Sequence, residues 1–359
     1  MREIMMHPDS KVYNFPPSPR GDKSRLNKYL DYVYILGDPH LGKKFSTGVP
    51  LHRRGDREEM QKKQFEDEVI GVKPGRHFHV CMGDLFDKFT VANHWVEFAY
   101  ETYRQASIQN PSIEYIIIQG NHDASRDKSL VSSFQIFAEL CESLKNVTVL
   151  TKHPIFKQHF GLNFLFVPWV PFQTSSELLE VEFKALNKAK NSPFVAFGHW
   201  DKVSHGEEGC DNLIPFDHFD YDSCDGVVTG HFHLAERTII KNIEIFISGS
   251  MQPYAHGEER ADVSDPMYLT HSRQEVLDNL EVDKNFYQQK VLRVVLEEGE
   301  PPLADIDCFA LTHKKAQQLG EDGSLDVEVD AFNLEELFKS VMAEKNVSLD
   351  LTNELWEQL

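Results

Sequence analysis

Short apolar segments alternate with longer amphipathic or charged segments along most of the chain. Apolar runs bounded by glycine or polar residues predict buried strands, and the segments between them predict helices. The predicted strands are 33–36, 77–82, 113–119, 163–167, 194–197 and 226–229, and the predicted helices are 57–70, 92–107, 129–144 and 175–190. Strands at 237–240 and 243–247 joined at Lys241-Asn242 predict a hairpin. Alternating elements followed by a strand-rich region predict layers of helix and sheet around a central core, an α/β or α+β fold.

The two ends of the chain differ from this alternating region. Residues 1–31 mix prolines and charges without periodicity, and they predict a loosely packed N-terminal extension. Residues 32–270 predict the main domain and 271–312 a small capping segment. Residues 313–359 predict an acidic linker followed by amphipathic helices. The apolar stripe of the first of these helices is formed by Leu334, Leu337, Phe338, Val341 and Met342.

Composition narrows the class of protein. The 359 residues have room for one large domain with appendages or for two modest domains. A content of 41% hydrophobic and 26% charged residues excludes a fibrous or wholly disordered chain. The apolar runs fall well short of the roughly 18 residues that a membrane span requires, and no apolar leader segment is visible. The five cysteines form no Cys-x-x-Cys pair, which favours free thiols in a reducing compartment. These features predict a cytoplasmic protein without a membrane segment.

The charge of the chain is unevenly distributed. The net charge of −20 argues against nucleic acid as a partner. However, residues 294–359 carry 16 acidic and 4 basic residues, whereas 41–63 carry 7 basic and 3 acidic residues. The basic run is either a solvated loop that enters a helix or a contact for phosphate groups. The candidate DNA contacts in it are Lys43, Lys44, Arg53 and Arg54.

Five short segments, each after a predicted strand, carry residue types that bind metals. They are 37–40 (GDPH), 83–87 (GDLFD), 120–123 (GNHD), 198–200 (GHW) and 230–233 (GHFH). Ligands gather where strands of such sheets end, and glycine allows a sharp turn and a close approach there. One such segment alone is more often a surface histidine or a helix cap. Five in order favour a binding site.

The number and type of donors indicate two metal ions. The candidate ligands are Asp38, His40, Asp84, Asn121, His199, His231 and His233. They exceed what one tetrahedral ion needs, and the absence of thiolates favours Mn²⁺, with Mg²⁺ or Fe²⁺ as alternatives. Two such ions would clamp a phosphoryl group and activate water. His122 could protonate the leaving oxygen, with Asp123 holding its imidazole in the required tautomer.

These motifs resemble those of the calcineurin-like metallophosphoesterase superfamily over residues 32–250, in the same order along the chain. The resemblance implies a four-layer β-sandwich flanked by helices, with a dinuclear centre. The residues implied to hold one ion are Asp38, His40, Asp84 and His233, and those implied to hold the other are Asp84, Asn121, His199 and His231. Asp84 would bridge the two ions, and His122 would be the catalytic histidine.

Segments 38–42, 83–87, 167–169 and 198–200 are similar to those of the SbcD-type double-strand-break repair nucleases, which include the T-even phage recombination endonuclease subunit. The resemblance implies a DNA exonuclease or endonuclease that acts on duplex ends in recombination or repair, in the cytoplasm of a bacterial or phage-infected cell. Its implied partners are an SbcC-type SMC-like ATPase and a second nuclease subunit in a homodimer. The basic run follows the first metal motif directly, where it could neutralise DNA phosphates.

Alternatives remain open at this point. The amphipathic helix at 333–345 resembles the tail by which such subunits bind the ATPase, and the alternative is that it packs on its own domain. A phosphomonoesterase or cyclic-nucleotide phosphodiesterase could use the same dinuclear scaffold, and this alternative predicts an enclosed pocket. A non-catalytic scaffold would be expected to lack some of the ligands, and none of them is missing here.

Overall fold

The computed structural model describes residues 16–72, 76–125, 127, 129–185, 193–202, 212–219 and 222–316, except the side chains of 182–185. The strands are β1 Val33–Leu36, β2 Phe78–Cys81, β3 Glu114–Ile118, β4 Val147–Leu150, β5 Ile155–His159, β6 Leu162–Phe166, β7 Phe194–Gly198, β8 Cys224–Thr229, β9 Glu236–Ile240, β10 Ile243–Ile247, β11 Tyr268–Ser272, β12 Val291–Leu296 and β13 Ala310–Lys315. The helices are α1 Asn27–Leu30, α2 Asp56–Ile70, α3 Asn93–Gln109, α4 Ser133–Cys141, α5 Ser175–Ala185 and α6 Arg273–Val282.

Two sheets form the main body of the fold. The first has four parallel strands in the order β1-β2-β3-β4. The second has six strands in the order β5-β6-β7-β8-β10-β9, parallel from β6 to β10, with antiparallel strands at both edges. A third sheet has the order β11-β12-β13. The strands that carry the metal motifs are therefore neighbours, β1 to β3 in one sheet and β7 with β8 in the other.

The two larger sheets pack face to face around a shared apolar cluster. Phe78 and Val80 of β2 lie in this cluster, where the Phe78 ring centroid is 4.9 Å from that of Phe164 in β6. The alternate residues Cys81 and Leu165 belong to clusters on the outer faces of the two sheets. Because successive side chains of a strand point to opposite faces, strands covered on both sides have continuous apolar sequences.

Helices cover the outer faces of both sheets. Phe65 of α2, Trp95 of α3 and Phe137 of α4 are buried against the four-stranded sheet. Leu178 and Leu179 of α5 are buried against the six-stranded sheet. The order of layers is helix, sheet, sheet and helix, and the predicted four-layer α/β fold is confirmed.

Local interactions set the boundaries of helix α4 and of the hairpin between β9 and β10. The helix expected over 129–144 covers only Ser133–Cys141, because Ser132 and Gln135 form a reciprocal capping box that fixes its start. The predicted hairpin is present, and its two turn residues, Lys241 and Asn242, have φ values of 47° and 62°. Left-handed conformations at both positions are typical of a tight turn between twisted strands.

Residues 26–30 of the N-terminal extension pack against the core. Leu26, Tyr29 and Leu30 are buried in the cluster between the sheets. The Tyr29 hydroxyl donates to Asp225 Oδ2 at 2.8 Å, and Lys28 Nζ lies 2.8 Å from the same oxygen. The expectation of a loose extension is therefore wrong for residues 26–30, because three of their side chains are buried in the core between the sheets.

The described chain divides into two compact units. The first comprises residues 16–294 and 303–312, and the second is described only at 295–302 and 313–316. The domain boundaries expected from the sequence stay predictions. The candidate partner-binding residues Leu334, Leu337, Phe338, Val341 and Met342 lie outside the described residues.

None of the helices in the described part of the chain has the length and apolar character needed to span a bilayer.

Burial of the N-terminal segment predicts a large stability effect for Leu26→Ala. Leu26 is fully buried between the sheets, so the truncation should lower the free energy of unfolding by about 2–5 kcal/mol through lost burial and the cavity left behind. Urea denaturation followed by circular dichroism measures this difference. The control is Leu51→Ala, at a side chain that is 78% exposed, which should change stability by less than about 0.5 kcal/mol. Equal effects of the two substitutions would contradict the packing described here.

Candidate metal centre

Five loops bring the predicted ligands together at the carboxyl ends of the central strands. They follow β1, β2, β3, β7 and β8. Backbone hydrogen bonds anchor the loops: the His40 N–H donates to the Asp84 carbonyl at 2.9 Å, which joins the first loop to the second. The Met251 N–H, in the segment after β10, donates to the Asp38 carbonyl at 3.1 Å. Loops anchored to each other in this way hold their side chains in fixed directions.

Three of the predicted ligands have unusual backbone conformations. His40, Asp84 and His231 have φ values of 47°, 48° and 77°, in the left-handed region that non-glycine residues rarely adopt. Each such residue costs on the order of 1–3 kcal/mol and persists only where its surroundings enforce it. The strain coincides with the clustered donors, which is the pattern expected of a functional site.

Two glycines in the motifs are required by close approach. A Cβ atom on Gly120 would lie 2.2 Å from Asp84 Oδ1, and one on Gly83 would lie 2.3 Å from His199 Nδ1. Gly83 also has a φ of 115°. Both contacts would be severe clashes, so these positions admit only glycine while the donors keep their places.

Asp38, His40 and His233 form the first group of donors. The Nε2 atoms of the two histidines are 3.0 Å apart. Metal–nitrogen bonds of about 2.1 Å at right angles would place two ligand nitrogens about 3 Å apart. Asp38 Oδ1 is buried and accepts no hydrogen bond within the described structure. Burial lowers the pKa of His40 to about 3, so its imidazole is neutral, as a metal ligand must be. These residues fit a divalent cation.

Asp84, His199 and His231 form the second group, and Asn121 lies among them. The Asn121 Oδ1 atom is 2.9 Å from His199 Nε2 and 3.1 Å from His231 Nδ1. The His199 Nδ1–H donates to the Met82 carbonyl at 2.9 Å, so Nε2 is the atom that faces the group. The predicted ligands of the second ion therefore come together from loops of both sheets: Asn121 follows β3, whereas His199 and His231 follow β7 and β8.

Asp84 lies between the two groups. Its Oδ2 atom is 3.3 Å from His199 Nε2 and 3.7 Å from His40 Nε2. Burial alone would raise the pKa of this carboxyl, but the adjacent His199 and His40 hold it well below its usual value. An ionised carboxylate in this position can be shared by two cations.

Two carboxylates outside the predicted set orient the histidines. The Glu258 Oε1 atom is 3.0 Å from His233 Nδ1, and the Asp201 Oδ1 atom is 3.1 Å from His231 Nε2. A carboxylate on the far nitrogen fixes the tautomer and increases the basicity of a ligating imidazole. The sequence analysis missed both residues. Asp201 directly follows the GHW motif and could have been suspected, whereas no spacing pattern connects Glu258 to His233.

Two further residues, which the sequence analysis did not identify, hydrogen-bond to the backbone of the loop that carries His40. The Gln61 Nε2 atom donates to the carbonyls of Pro39 and His40, at 2.9 and 3.0 Å. The Tyr254 hydroxyl also donates to the Pro39 carbonyl. Both side chains are buried. They satisfy backbone oxygens that the left-handed turn at His40 leaves without sheet partners.

Asp123 has a different role from the one expected beside His122. His122 is exposed, and its Nδ1 atom lies 2.6 Å from the carbonyl oxygen of Asp87, which can only accept a hydrogen bond. Asp123 is buried, and its carboxylate accepts from the N–H groups of Leu85, Phe86 and Gly120 at 2.9–3.1 Å. The expectation that Asp123 orients His122 is therefore corrected: the Asp87 carbonyl does so, and Asp123 joins two motif loops.

The four basic candidates separate into two kinds. Lys43 lies beside the centre, with Nζ 3.4 Å from Asp87 Oδ1, and Lys44 and Arg54 are exposed. Arg53, in contrast, is engaged inside the fold. Its side chain is 11% exposed, with Nε 2.6 Å from Asp56 and Nη1 2.7 Å from Asp307. Because these bonds occupy its guanidinium, the structure argues against the expected DNA contact at Arg53.

Comparisons with known proteins agree with this geometry. The family model described as calcineurin-like phosphoesterase matches residues 32–235. No curated protein matches the chain.

Two solved structures show distant similarity to the chain. The chain is similar to TT1561 of Thermus thermophilus, with 12% identity over 62% of this chain and 90% of the other and a TM-score of 0.41. It is also similar to GAP50, the anchor in the inner membrane complex of Plasmodium, with 13% identity over 65% of this chain and 75% of the other and a TM-score of 0.39.

The matched region contains all five motif loops and every donor of the two groups. Because the family model covers more than half of the chain, this protein belongs to the calcineurin-like phosphoesterase family.

Proposed function

We propose that this chain is a metal-dependent DNA nuclease of the SbcD type, which hydrolyses phosphodiester bonds at duplex ends in recombination or repair. Membership of the phosphoesterase family implies metal-dependent hydrolysis of phosphoesters. The observation that supports DNA as the substrate is the position of the basic run at 41–63. Its first basic residue, Lys43, lies beside Asp87 in the second motif loop. Lys44 and Arg54 follow it along the chain as exposed cations. Phosphates flanking the reacting one would meet these side chains.

The ligand assignment follows the two groups of donors. Asp38, His40 and His233 would hold one ion, and Asn121, His199 and His231 would hold the other, with Asp84 shared by both. Two divalent cations, which we propose to be Mn²⁺, would supply Lewis-acid activation of the phosphoryl group and of a water nucleophile. The donors are all nitrogen and oxygen atoms, which suits such ions.

His122 would deliver a proton to the leaving group in this proposal. Its Nδ1 atom donates to the Asp87 carbonyl, so Nε2 is the atom that can carry a proton to a substrate oxygen. The ring is exposed, and its centroid is 5.0 Å from that of His40. When water attacks phosphorus and the bond to the leaving oxygen breaks, the proton on Nε2 would neutralise that oxygen.

The exposure of His122 favours a polymeric substrate over a small phosphomonoester. A phosphomonoesterase or cyclic-nucleotide phosphodiesterase is expected to enclose its substrate, whereas a duplex must reach the centre from outside. His122, Lys44 and Arg54 are all exposed, so a large ligand can reach each of these side chains. The partnership with an SbcC-type ATPase through 333–345 and the pairing of two nuclease subunits stay predictions from the resemblance.

The shared position of Asp84 predicts that one conservative substitution disturbs both metal sites. Wild-type protein should bind two equivalents of Mn²⁺ in isothermal titration calorimetry. Asp84→Asn keeps the size of the side chain but removes its charge, and it should weaken both sites by at least tenfold. The control Asp31→Asn, at an exposed aspartate, should bind two ions like the wild type. An Asp84→Asn protein that keeps both sites at full affinity would contradict the bridging assignment.

A proton-donor role for His122 predicts an effect that depends on the leaving group. His122→Ala should reduce kcat on DNA about 10²- to 10⁴-fold while two ions remain bound. The loss should be much smaller on bis(p-nitrophenyl) phosphate, because p-nitrophenolate leaves without being protonated. His94→Ala, at another exposed histidine, serves as the control. If His122→Ala instead loses a metal ion, or loses equal activity on both substrates, the residue does not act as the proton donor.

The proposed DNA contacts predict a salt-dependent defect. End-labelled linear duplex should be degraded in the presence of Mn²⁺, and p-nitrophenyl phosphate should be a poor substrate. The double substitution Lys44→Glu and Arg54→Glu should raise KM for DNA and reduce the slope of log affinity against log salt by about 2. The control is Lys145→Glu with Lys152→Glu, which makes the same charge change at two exposed sites outside the run. Turnover of p-nitrophenyl phosphate alone, with the duplex left intact, would favour the phosphomonoesterase.

A further inference from the structure

A cavity of about 460 Å³ opens beside the metal centre, on the side of β8 and β10. His231 and His233, which belong to the two groups of donors, form part of its wall. Phe232, Leu234 and Ile247 are its apolar lining residues. The volume falls within the range of roughly 300–1,000 Å³ that is typical of pockets for small organic molecules. A group bonded to a phosphate at the centre could therefore enter this cavity directly.

The lining combines an aromatic wall with an ion pair. The Lys202 Nζ atom lies 2.5 Å from Glu236 Oε2 and 5.7 Å from the centroid of the Phe232 ring. The side chains of Lys202 and Glu236 are 27% and 43% exposed, so both can reach a bound molecule. Leu234 is 40% exposed, which leaves apolar surface next to the ion pair. The cavity thus suits a flat, largely apolar ring that has polar groups along its edge.

We propose that this cavity binds the nucleoside attached to the scissile phosphate, with its base packed against Phe232 and its polar edge near Lys202 and Glu236. The proposal rests on the proposed nuclease function and names the part of the substrate that this site selects. A base on an aromatic ring gains affinity through stacking that every base can provide, so the pocket would accept all four.

Two small substrates separate the pocket from the chemistry. Thymidine 5′-(p-nitrophenyl phosphate) and bis(p-nitrophenyl) phosphate share the reacting group and the leaving group, but only the first carries a nucleoside. In the presence of Mn²⁺ the wild type should show a KM about tenfold lower for the nucleotide ester. Phe232→Leu keeps an apolar side chain but removes the stacking face, and it should raise that KM about five- to tenfold, more than it raises KM for the other ester.

Metal content must be measured in parallel, because Phe232 lies between His231 and His233. Leu234→Ala gives a second test at a position that contains no metal donor, and it should raise KM for the nucleotide ester about threefold. The matched control is Leu140→Ala on α4, at a leucine that is 43% exposed, which should change neither substrate. Saturation-transfer NMR with thymidine 5′-monophosphate provides a binding measurement without turnover, and the thymine protons should receive the strongest transfer in the wild type and lose it in Phe232→Leu.

The outcomes for the pocket and for the nuclease are distinguishable. Equal KM values for the two esters in the wild type, or a preference that Phe232→Leu leaves intact with two ions bound, would overturn the pocket. Cleavage of duplex DNA with no preference for the nucleotide ester would overturn the pocket and leave the nuclease standing. A strong preference for the nucleotide ester together with an intact duplex would support the pocket and overturn the nuclease. The substrates would then be small nucleotide esters and not DNA.

Discussion

The candidate metal centre depends on the contacts of the buried Asp84 carboxylate with histidines of both donor groups. This carboxylate lies between His40 and His199, which come from different sheets, and both histidines lower its pKa against the effect of burial. Without compensating cations, Asp84 and the equally buried Asp38 would repel each other in a medium of low dielectric constant. The arrangement therefore favours the binding of positive charge, and two ions that shared Asp84 would satisfy both groups of donors.

The surrounding structure keeps these donors in place. Gly83 and Gly120 allow backbone and side chains to approach within distances that a Cβ would forbid, and Asp123 joins the same loops through three backbone N–H groups. Gln61 and Tyr254 hold the carbonyls of the turn before His40. The strained backbone at His40 and Asp84 is thus supported by buried hydrogen bonds from residues outside the donor groups, which fix the directions of the donors.

The sequence predicted the parts of the structure that depend on local pattern. Continuous apolar strands and the glycine-led motifs after them located the layers and the seven donors, because strand ends in such sheets meet at one edge. The parts it did not predict depend on contacts between distant residues. Leu26 lies in a polar, proline-containing stretch, yet it packs between the sheets. Arg53 belongs to a basic run but pairs with Asp307, and Glu258 has no motif although it contacts His233.

The central claim concerns where the two ions bind. Crystals grown with Mn²⁺, with diffraction recorded at the manganese absorption edge, would show the ions directly in anomalous difference maps. The account predicts two peaks, each within about 2.5 Å of a carboxylate oxygen of Asp84, one beside His40 and the other beside His199. A single peak, or two peaks of which one lies away from Asp84, would contradict it.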